Sequence, residues 1–294
     1  MTVSEPIRLG TGILDDAEHT LLGLVEGVYL LSDLLETEVP LIEIIGDWTG
    51  YKPRLFDAAE KARNRRPIDQ DAIRFVAPVP NPPKLVCVGT NYHDHLREMG
   101  ITTEPEYPYA FLRPNLCLAG HRETVPLPDW PKFVDWEAEL GIVIGKTGRD
   151  FRGEDARNAI AGYTIINDIS ARDWIENRPW VGVDWVMQKA WDRFQPTGPW
   201  FTPSEFVADP QELDIQLTVN GTVRQKSNTS EMIFGVDAIV EHLSSIMTLE
   251  VGDVIATGTP AGVGFGQKPR VSLHKGDKMV VAIEGLGELE TTMG

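Results

Sequence analysis

Cysteine is scarce in this chain of 294 residues. Only Cys87 and Cys117 are present, they lie far apart, and neither belongs to a CxxC pair. A disulfide framework or a cysteine-based zinc site needs more thiols at closer spacing. We therefore predict two reduced thiols in the core of a cytoplasmic protein.

Long apolar runs and positive charge are also lacking. No apolar stretch reaches the roughly 18 residues that a membrane-spanning helix needs, and residues 1–10 lack the basic and apolar segments of a secretion signal. With 27 basic against 44 acidic residues the formal net charge is −17, which repels nucleic acids and anionic lipid surfaces. We expect no nucleic acid and no membrane among the partners, and a cytoplasmic location.

The composition is that of a globular protein with many turns. Apolar residues make up 42% of the chain, which also has 27 glycines and 21 prolines. Residues 76–84 contain four prolines, which fix φ and remove hydrogen-bond donors, so they predict an extended connector. We place a small N-terminal α/β module at residues 1–78 and the main domain at residues 79–294.

Strand patterns dominate the main domain. Asn220-Gly221, flanked by alternating apolar residues, predicts a hairpin over residues 213–225. An amphipathic pattern predicts a helix over residues 230–247 with Ser230 as its N-cap. The fold class is therefore α+β and rich in strands. The other predicted segments are buried strands at 84–89, 134–145 and 160–170, a helix at 54–65, and a mixed strand and helix pattern at 18–37.

Carboxylates occur inside one of these apolar strand patterns. Asp135, Glu137 and Glu139 have a spacing of two, which puts them on one face of a strand. Such carboxylates repel each other unless they are paired or bind a cation. Asp168, at the end of the next apolar strand, supplies a third acid beside Glu137 and Glu139, and the set suits Mg²⁺ or Mn²⁺. The alternatives are structural or edge carboxylates and a strand-end cap; we expect Asp135 at the rim of the site or among the residues that support the metal ligands.

A histidine and a carboxylate three residues apart form a second candidate. His95 and Glu98 are neighbours on a helical surface, where Glu98 could orient the imidazole as a general base. His93 is the competing histidine, and a chance pair on an exposed helix is the alternative interpretation.

Cations and a glycine-rich segment complete the candidates. Lys189 and Arg172 could orient a substrate carboxylate or stabilise an oxyanion, or each could simply form a surface salt bridge. Residues 252–266 lack the lysine of a phosphate-binding loop, so a backbone segment close to a small ligand is the better interpretation. The hydroxyl of Thr259 is then available to a substrate carboxylate.

Seven stretches, in this order, resemble the fumarylacetoacetate hydrolase family over about residues 76–290. Residues 1–75 match only loosely. The stretches are APVPNPPKLVCVGTNYHDHLREMG, YPYAFLRP, VDWEAELGIVIGK, AGYTIINDISARDW, QKAWDRFQPTGPW, LTVNGTVRQKSNTSEMIF and MTLEVGDVIATGTPAGVGFG.

The resemblance implies a mixed β-sandwich roll and a homodimer. It also implies an Mg²⁺ or Mn²⁺ site and a catalytic dyad on a segment that becomes ordered over the site when ligand binds. The implied residues are Glu137, Glu139 and Asp168 for the metal, His95 and Glu98 for the dyad, Lys189 as the active-site lysine and Thr259 as a substrate contact.

Several positions depart from the family pattern beside the implied pocket. Arg113 stands where relatives often have lysine, and Gln188 where they often have glycine. Together with Arg172 and Thr259, we take both as candidate substrate contacts. The remaining departures are Asn115 and Leu116, in place of small residues, and the additional bulk of Trp174, Trp180 and Trp185.

The reaction that the resemblance implies uses a keto acid. We expect hydrolytic cleavage of a C–C bond in an acylpyruvate-like or diketo acid, with water attack and an enolate leaving group. The alternatives are an isomerase of the hydroxymuconate type, a decarboxylase of oxaloacetate or another β-keto acid, a hydratase, dehydratase or lyase, and a non-catalytic binding protein on the same scaffold.

Overall fold

The fold was analysed in a computed structural model, which describes residues 6–176, 180 and 182–294. Its strands are β1 (Arg8–Leu14), β2 (Ala17–Leu24), β3 (Gly27–Leu30), β4 (Arg74–Val76), β5 (Leu85–Gly89), β6 (Tyr109–Arg113), β7 (Leu118–Ala119), β8 (Thr124–Val125), β9 (Val134–Asp135), β10 (Ala138–Ile144), β11 (Ile160–Asn167), β12 (Ser170–Ala171), β13 (Gln195–Pro196), β14 (Thr202–Pro203), β15 (Asp214–Val219), β16 (Thr222–Asn228), β17 (Val254–Ala256), β18 (Lys278–Ile283) and β19 (Gly287–Met293). Its α-helices are α1 (Leu31–Leu35), α2 (Leu41–Gly46), α3 (Trp48–Ala62), α4 (His93–Met99), α5 (Glu154–Ala159), α6 (Asp173–Glu176), α7 (Trp185–Lys189) and α8 (Val236–Ile246).

Three sheets form the body of the protein. A six-stranded sheet has the order β14-β11-β10-β17-β5-β6, and a five-stranded sheet has the order β16-β15-β18-β19-β8. The N-terminal residues form a four-stranded sheet in the order β3-β2-β1-β4. The two remaining pairs, β12 with β9 and β13 with β7, are short. The prediction of a strand-rich α+β fold is confirmed.

The six-stranded sheet is covered on both faces, which explains its apolar sequence. Every residue of β10 is buried. Leu140 and Ile142 belong to a core shared with Leu217 of the five-stranded sheet, whereas Val143 belongs to a second core that contains Leu55 of α3. A strand with both faces covered has a nearly continuous apolar sequence instead of an alternating one. The N-terminal module therefore packs against the sheet that carries β10; the boundary at residue 78 stays a prediction.

The hairpin prediction is confirmed in detail. β15 pairs with β16, and Asn220 and Gly221 have φ values of 51° and 75° at the turn between them. Positive φ at both central residues is the requirement of a type I′ turn, which favours Asn-Gly.

Four predicted elements have different bounds in the structure. The helix expected over 230–247 begins only at Val236, and the expected N-cap Ser230 is wrong: it lies in a 3-10 turn that begins at Thr229. The side chain of Gln211 accepts a hydrogen bond from the Val236 N–H at 2.7 Å, so the first turn of α8 is capped by a distant residue. The helix expected over 54–65 begins at Trp48, where Asp47 is the N-cap.

The other two differences concern strands. Residues 18–37 form most of β2, then β3 and α1. The single strand expected over 134–145 is interrupted: β9 pairs with β12 and β10 pairs with β11, while Trp136 and Glu137 lie between β9 and β10.

Candidate active site

Three acidic side chains meet where β10 begins and β11 ends. Glu137 precedes β10, Glu139 lies in it, and Asp168 follows β11. The two strands are antiparallel with Ala138 opposite Asn167, so these ends are adjacent, and the Asp168 N–H donates to the Glu137 carbonyl at 2.8 Å. All three are buried, and one oxygen from each lies within 4.8 Å of the others. We call Glu137, Glu139 and Asp168 the carboxylate cluster.

Cationic side chains contact two members of this cluster. The Lys189 ammonium lies 2.7 Å from Glu137 Oε2 and 2.6 Å from Asp168 Oδ2. Arg172 forms an ion pair with Glu137, and Arg113 forms one with Asp168. Burial opposes ionisation of Glu137, but Lys189 and Arg172 outweigh it and lower the pKa of this carboxyl to about 2.

Asp135 belongs to the same buried network, so of its two expected places it takes the one that supports the metal ligands, not the one at the rim. Its Oδ1 lies 2.7 Å from Arg172 Nε, and its Oδ2 accepts the Phe265 N–H at 2.8 Å. The side chain is fully buried because the interruption between β9 and β10 turns it toward residues 264–265 instead of outward. Asp135 therefore fixes the Arg172 guanidinium beside the cluster.

Glu139 is the cluster member without a direct cation contact among the described residues. It accepts the Gly258 N–H at 2.8 Å. Burial is the main reason that the pKa of Glu139 lies well above its usual range, and the neighbouring charges of Asp168 and Glu137 raise it further.

The donor set fits a hard divalent cation. The buried network contains four carboxylates and three cations, and every carboxylate except Glu139 contacts a cation. The carboxylates are Asp135, Glu137, Glu139 and Asp168, and the cations are Arg113, Arg172 and Lys189. One carboxylate is therefore left to be neutralised, and three convergent carboxylate groups are the oxygen donors that Mg²⁺ and Mn²⁺ accept. The cluster can hold such an ion; whether Mg²⁺ or Mn²⁺ is the native one stays a prediction.

The predicted dyad is formed on α4. His95 Nδ1 lies 3.1 Å from Glu98 Oε2, and Glu98 Oε1 also accepts the Gly262 N–H at 2.9 Å. Held in this way, the imidazole has its Nε2 available for a substrate proton. The competing His93 is instead paired with the exposed Glu104, at 3.1 Å. That α4 becomes ordered when ligand binds stays a prediction.

The glycine-rich segment holds carboxylates through its backbone amides. Gly258 and Thr259 also line the cavity, and the expectation that this backbone lies close to a small ligand stays a prediction. Gly258 has a φ of 93°, and a Cβ there would lie 2.8 Å from the side chain of Asn91, which explains the need for glycine. The N–H donors and their acceptors are Gly258 to Glu139, Ala261 to Asp94, Gly262 to Glu98 and Phe265 to Asp135.

The carboxylate cluster and His95 of the dyad line one cavity of about 280 Å³. A larger cleft of about 620 Å³, near the N-terminus of α3, contains none of the predicted site residues; we choose the smaller cavity for its chemistry. The residues that line the smaller one are Val88, Gly89, Thr90, His95, Met99, Ile101, Phe111, Glu137, Glu139, Asp168, Arg172, Ile175, Val183, Trp185, Gln188, Lys189, Gly258 and Thr259.

The candidate substrate contacts have different surroundings. Gln188 and Thr259 line the cavity, but the Thr259 hydroxyl donates to the Ala138 carbonyl and accepts a hydrogen bond from Gln225 Nε2. Arg172 lines the cavity while bound to carboxylates, and Arg113 contacts Asp168 from outside the lining. Whether any of them contacts substrate stays a prediction.

Several residues near the site were not predicted from the sequence. Gln225 Oε1 accepts the Ala138 N–H at 2.9 Å, and Asn167 Oδ1 accepts the Glu137 N–H at 3.1 Å. A buried amide within a strand pattern is the signal that could have identified Gln225.

The three tryptophans noted in the sequence have different positions. Trp185 lines the cavity, whereas Trp180 is 96% exposed and Trp174 packs on Trp130.

Comparison with known proteins assigns the family. Residues 84–293 match the model of the fumarylacetoacetate (FAA) hydrolase C-terminal domain. The chain belongs to the fumarylacetoacetate hydrolase family, whose fold it has. A curated relative, the mitochondrial oxaloacetate tautomerase FAHD2A of Bos taurus, is 42% identical over 220 residues, which are 75% of this chain and 69% of the relative.

Two similar solved structures contain manganese and pyruvate. The maleylpyruvate hydrolase of Sphingobium sp. SYK-6 is 31% identical with a TM-score of 0.78, covering 97% of this chain and 98% of that one. The fumarylpyruvate hydrolase of Pseudomonas aeruginosa is 34% identical with a TM-score of 0.66, covering 72% of this chain and 89% of that one. The chain is thus similar to enzymes of two reaction types, hydrolases and a tautomerase.

The described residues include no helix with the length and apolar character needed to cross a membrane. The bovine relative is named as mitochondrial, and the cytoplasmic location expected for this chain stays a prediction.

Proposed function

We propose that the protein is a divalent-metal-dependent hydrolase that cleaves a C–C bond of an acylpyruvate-like 2,4-dioxo acid. One observation carries the proposal: a single cavity is lined by a buried cluster of three carboxylates and by an imidazole oriented by a carboxylate. The first group of residues suits a cation and the second suits a general base.

Glu137, Glu139 and Asp168 would hold the cation. A bound Mg²⁺ or Mn²⁺ ion would supply Lewis acidity that draws electron density from the oxygens of a 2-oxo acid. The Lys189 ammonium, which is fixed between Glu137 and Asp168, adds positive charge where negative charge develops on those oxygens.

His95 would activate the attacking water. With Nδ1 held by Glu98, Nε2 takes a proton from water, and the hydroxyl oxygen bonds to the C4 carbonyl carbon. The C3–C4 bond then breaks, its electron pair remains with the three-carbon fragment as the pyruvate enolate, and C4 leaves as a carboxylic acid. Protonation of the enolate at C3, by His95 in its imidazolium form, gives pyruvate and restores the base.

Keto–enol tautomerisation of oxaloacetate is a second candidate reaction. It is favoured by the 42% identity with a relative named as an oxaloacetate tautomerase. This reaction moves a proton between C3 and the 2-oxo oxygen and consumes no water, so His95 would act on carbon instead of on water. The same cation site serves both reactions.

Isotope labelling separates the two reactions. The chelator-treated protein is given Mn²⁺ or Mg²⁺ in H₂¹⁸O, and a 2,4-dioxo acid and oxaloacetate are assayed in parallel by mass spectrometry and ultraviolet absorbance. Hydrolysis predicts pyruvate plus an acid with one label from water, only with metal present. If the dioxo acid remains unchanged and the tautomerisation of oxaloacetate is accelerated, the second candidate reaction is supported instead of hydrolysis. Turnover that persists after chelation would contradict both.

We also propose a homodimer, which is supported by the family resemblance and by exposed apolar side chains around β6. Leu112 is 59% exposed on this edge strand, and Ile246 of α8 is 56% exposed. Light scattering coupled to size-exclusion chromatography should give twice the mass of one chain; the mass of a single chain would contradict the proposal.

A further inference from the structure

The lining of the active-site cavity has an apolar part as well as a charged one. We call the apolar part the apolar wall; it consists of Met99, Ile101, Phe111, Ile175, Val183 and Trp185. These residues come from the end of α4 and the residues that follow it, from β6, from α6, and from the start of α7 and the residues before it. The carboxylate cluster instead lies at the adjoining ends of β10 and β11. A substrate that fills the cavity therefore meets two different surfaces.

The aromatic centre of the apolar wall is held in place. The rings of Trp185 and Phe111 are stacked with centroids 4.1 Å apart and an interplanar angle of 9°. The indole N–H of Trp185 donates to the Tyr109 hydroxyl at 2.8 Å. The side chain of Asp184 caps the first turn of α7 by accepting the Met187 N–H at 3.0 Å. The stacked pair is therefore a preformed surface that needs little ordering when a ligand binds.

The cations of the lining are already bound to carboxylates. Among the described residues that line the cavity, Lys189 and Arg172 are the permanently charged cations. Lys189 donates three hydrogen bonds, to Glu137 and Asp168, and Arg172 forms ion pairs with Asp135 and Glu137. A second carboxylate on the substrate would lose its hydration against the apolar wall without gaining an ion pair from these residues.

We propose that the site selects 2,4-dioxo acids whose C4 substituent is a compact apolar group, and that Phe111 and Trp185 determine this selectivity. The inference rests on the proposed function and names its substrate class. The cavity of about 280 Å³ lies just below the roughly 300–1,000 Å³ that is usual for ligand cavities, which limits the length of the substituent. The class differs from the diacids in the names of the relatives, each of which carries a second carboxylate.

A substrate series tests the selectivity directly. Metal-loaded protein is assayed with 2,4-dioxo acids that carry methyl, n-propyl, phenyl or carboxylate at C4. We expect kcat/KM for the best apolar substituent to exceed that for carboxylate at least about tenfold, the size of effect that one misplaced group causes in an apolar pocket. A carboxylate substituent that performs as well as the apolar ones would overturn the proposal.

Two variants and a control assign the selectivity to the wall. Trp185→Ala should shift the optimum toward substituents longer than n-propyl, while Trp185→Phe keeps an aromatic ring against Phe111 and should retain the preference of the wild type. Val186→Ala is the matched control on the same helix, since Val186 is 71% exposed and does not line the cavity. Identical substrate profiles for the two Trp185 variants and the control would remove Trp185 from the proposal.

Ligand binding separates this inference from the proposed reaction. The two ligands 2-oxopentanoate and 2-oxoglutarate have the same chain length, but the first ends in a methyl group and the second in a carboxylate. Their affinities for the Mn²⁺-loaded protein can be measured by calorimetry and by quenching of tryptophan fluorescence. Tighter binding of 2-oxopentanoate supports the apolar wall even if no dioxo acid is hydrolysed. Tighter binding of 2-oxoglutarate would overturn it, because the second carboxylate would then gain more from the cavity than it loses in hydration.

Discussion

The carboxylate cluster and the apolar wall share one cavity but are built in different ways. The cluster lies at the adjoining ends of β10 and β11, two neighbouring interior strands of the six-stranded sheet, and every side chain in it is buried. The apolar wall comes from short helices and an edge strand, and Ile101 and Val183 remain 44% and 40% exposed. A metal-ligand set needs fixed geometry, which a sheet interior supplies, whereas substrate selectivity can vary on peripheral elements without disturbing it.

The substitution with the largest expected effect removes one ligand of the cation site and leaves the apolar wall intact. Glu139→Gln removes a ligand charge but keeps the size and shape of the side chain. We expect kcat/KM to fall at least about a thousandfold, because Lewis-acid stabilisation is worth several kcal/mol and about 1.4 kcal/mol is tenfold. Kinetic assays and Mn²⁺ titration by calorimetry measure the two losses.

Stability distinguishes a lost cation site from damaged folding. Because Glu139 is buried without a direct cation contact among the described residues, the neutral amide should leave the melting temperature of the metal-free protein unchanged or raise it. Glu288→Gln, on the exposed side of β19, is the control. Retained Mn²⁺ affinity in Glu139→Gln would refute the cluster as the metal site.

The next largest effect concerns the base that we assign to α4. His95→Gln should lower kcat about a hundredfold or more, the usual contribution of general acid–base catalysis, and leave Mn²⁺ affinity within a few-fold of wild type. His93→Gln is the control on the same helix, since His93 pairs with Glu104. Activity of His95→Gln close to that of the wild type would exclude His95 as the water-activating base.

The sequence predicted the cluster better than the wall for a physical reason. A carboxylate buried in an apolar strand is costly unless it is paired or binds a cation. The sequence alone therefore identified Glu137 and Glu139 as candidate metal ligands. The family resemblance placed Trp185 beside the pocket, but Phe111 gave no such signal, because an apolar residue is expected wherever a surface is covered. Only the fold brings β6 and α7 together.

Helix caps and strand interruptions also depend on contacts between residues that are distant in the sequence, which limits their prediction. The hairpin at Asn220-Gly221 was predictable because the turn is a local property. The start of α8 was not, because the group that caps Val236 is Gln211, which is distant in the sequence. The burial of Asp135 likewise depends on its contacts with Arg172 and the Phe265 amide, which strand periodicity does not contain.

A smaller effect, of about tenfold per pH unit, should appear in metal affinity. The pKa of Glu139 is raised well above 4.5 in the metal-free protein, mainly by burial. Where the metal-free carboxyl remains protonated, binding must displace its proton, so Mn²⁺ affinity should rise with pH by up to about tenfold per unit. Calorimetry in two buffers of different ionisation enthalpy should detect up to one proton released for each ion bound.

The pH dependence has its own control in Glu139→Gln. This variant lacks the titrating group, so whatever weak Mn²⁺ binding it retains should release less proton than the wild type does. If the wild type releases no proton over the range in which affinity is measured, Glu139 is already ionised without metal in spite of its burial, and this prediction is wrong.

The smallest effect that we expect comes from Gln225, which links the two strand layers at the cluster. It accepts the Ala138 N–H, between Glu137 and Glu139, and it donates to the Thr259 hydroxyl. Gln225→Met keeps a similar volume but leaves the Ala138 N–H without its partner, which should cost about 1–3 kcal/mol of the free energy of unfolding.

The same substitution should weaken Mn²⁺ binding about tenfold, because groups that orient metal ligands typically contribute 10- to 100-fold in affinity. Gln216→Met is the matched control, since Gln216 is half-buried on β15, the strand paired with β16. Urea unfolding and Mn²⁺ titration measure both quantities. Lost stability with unchanged Mn²⁺ affinity would mean that pairing of β10 with β11 positions Glu137 and Glu139 without help from β16. In that case the cluster would depend on one sheet only, and its contrast with the apolar wall would be sharper than we propose.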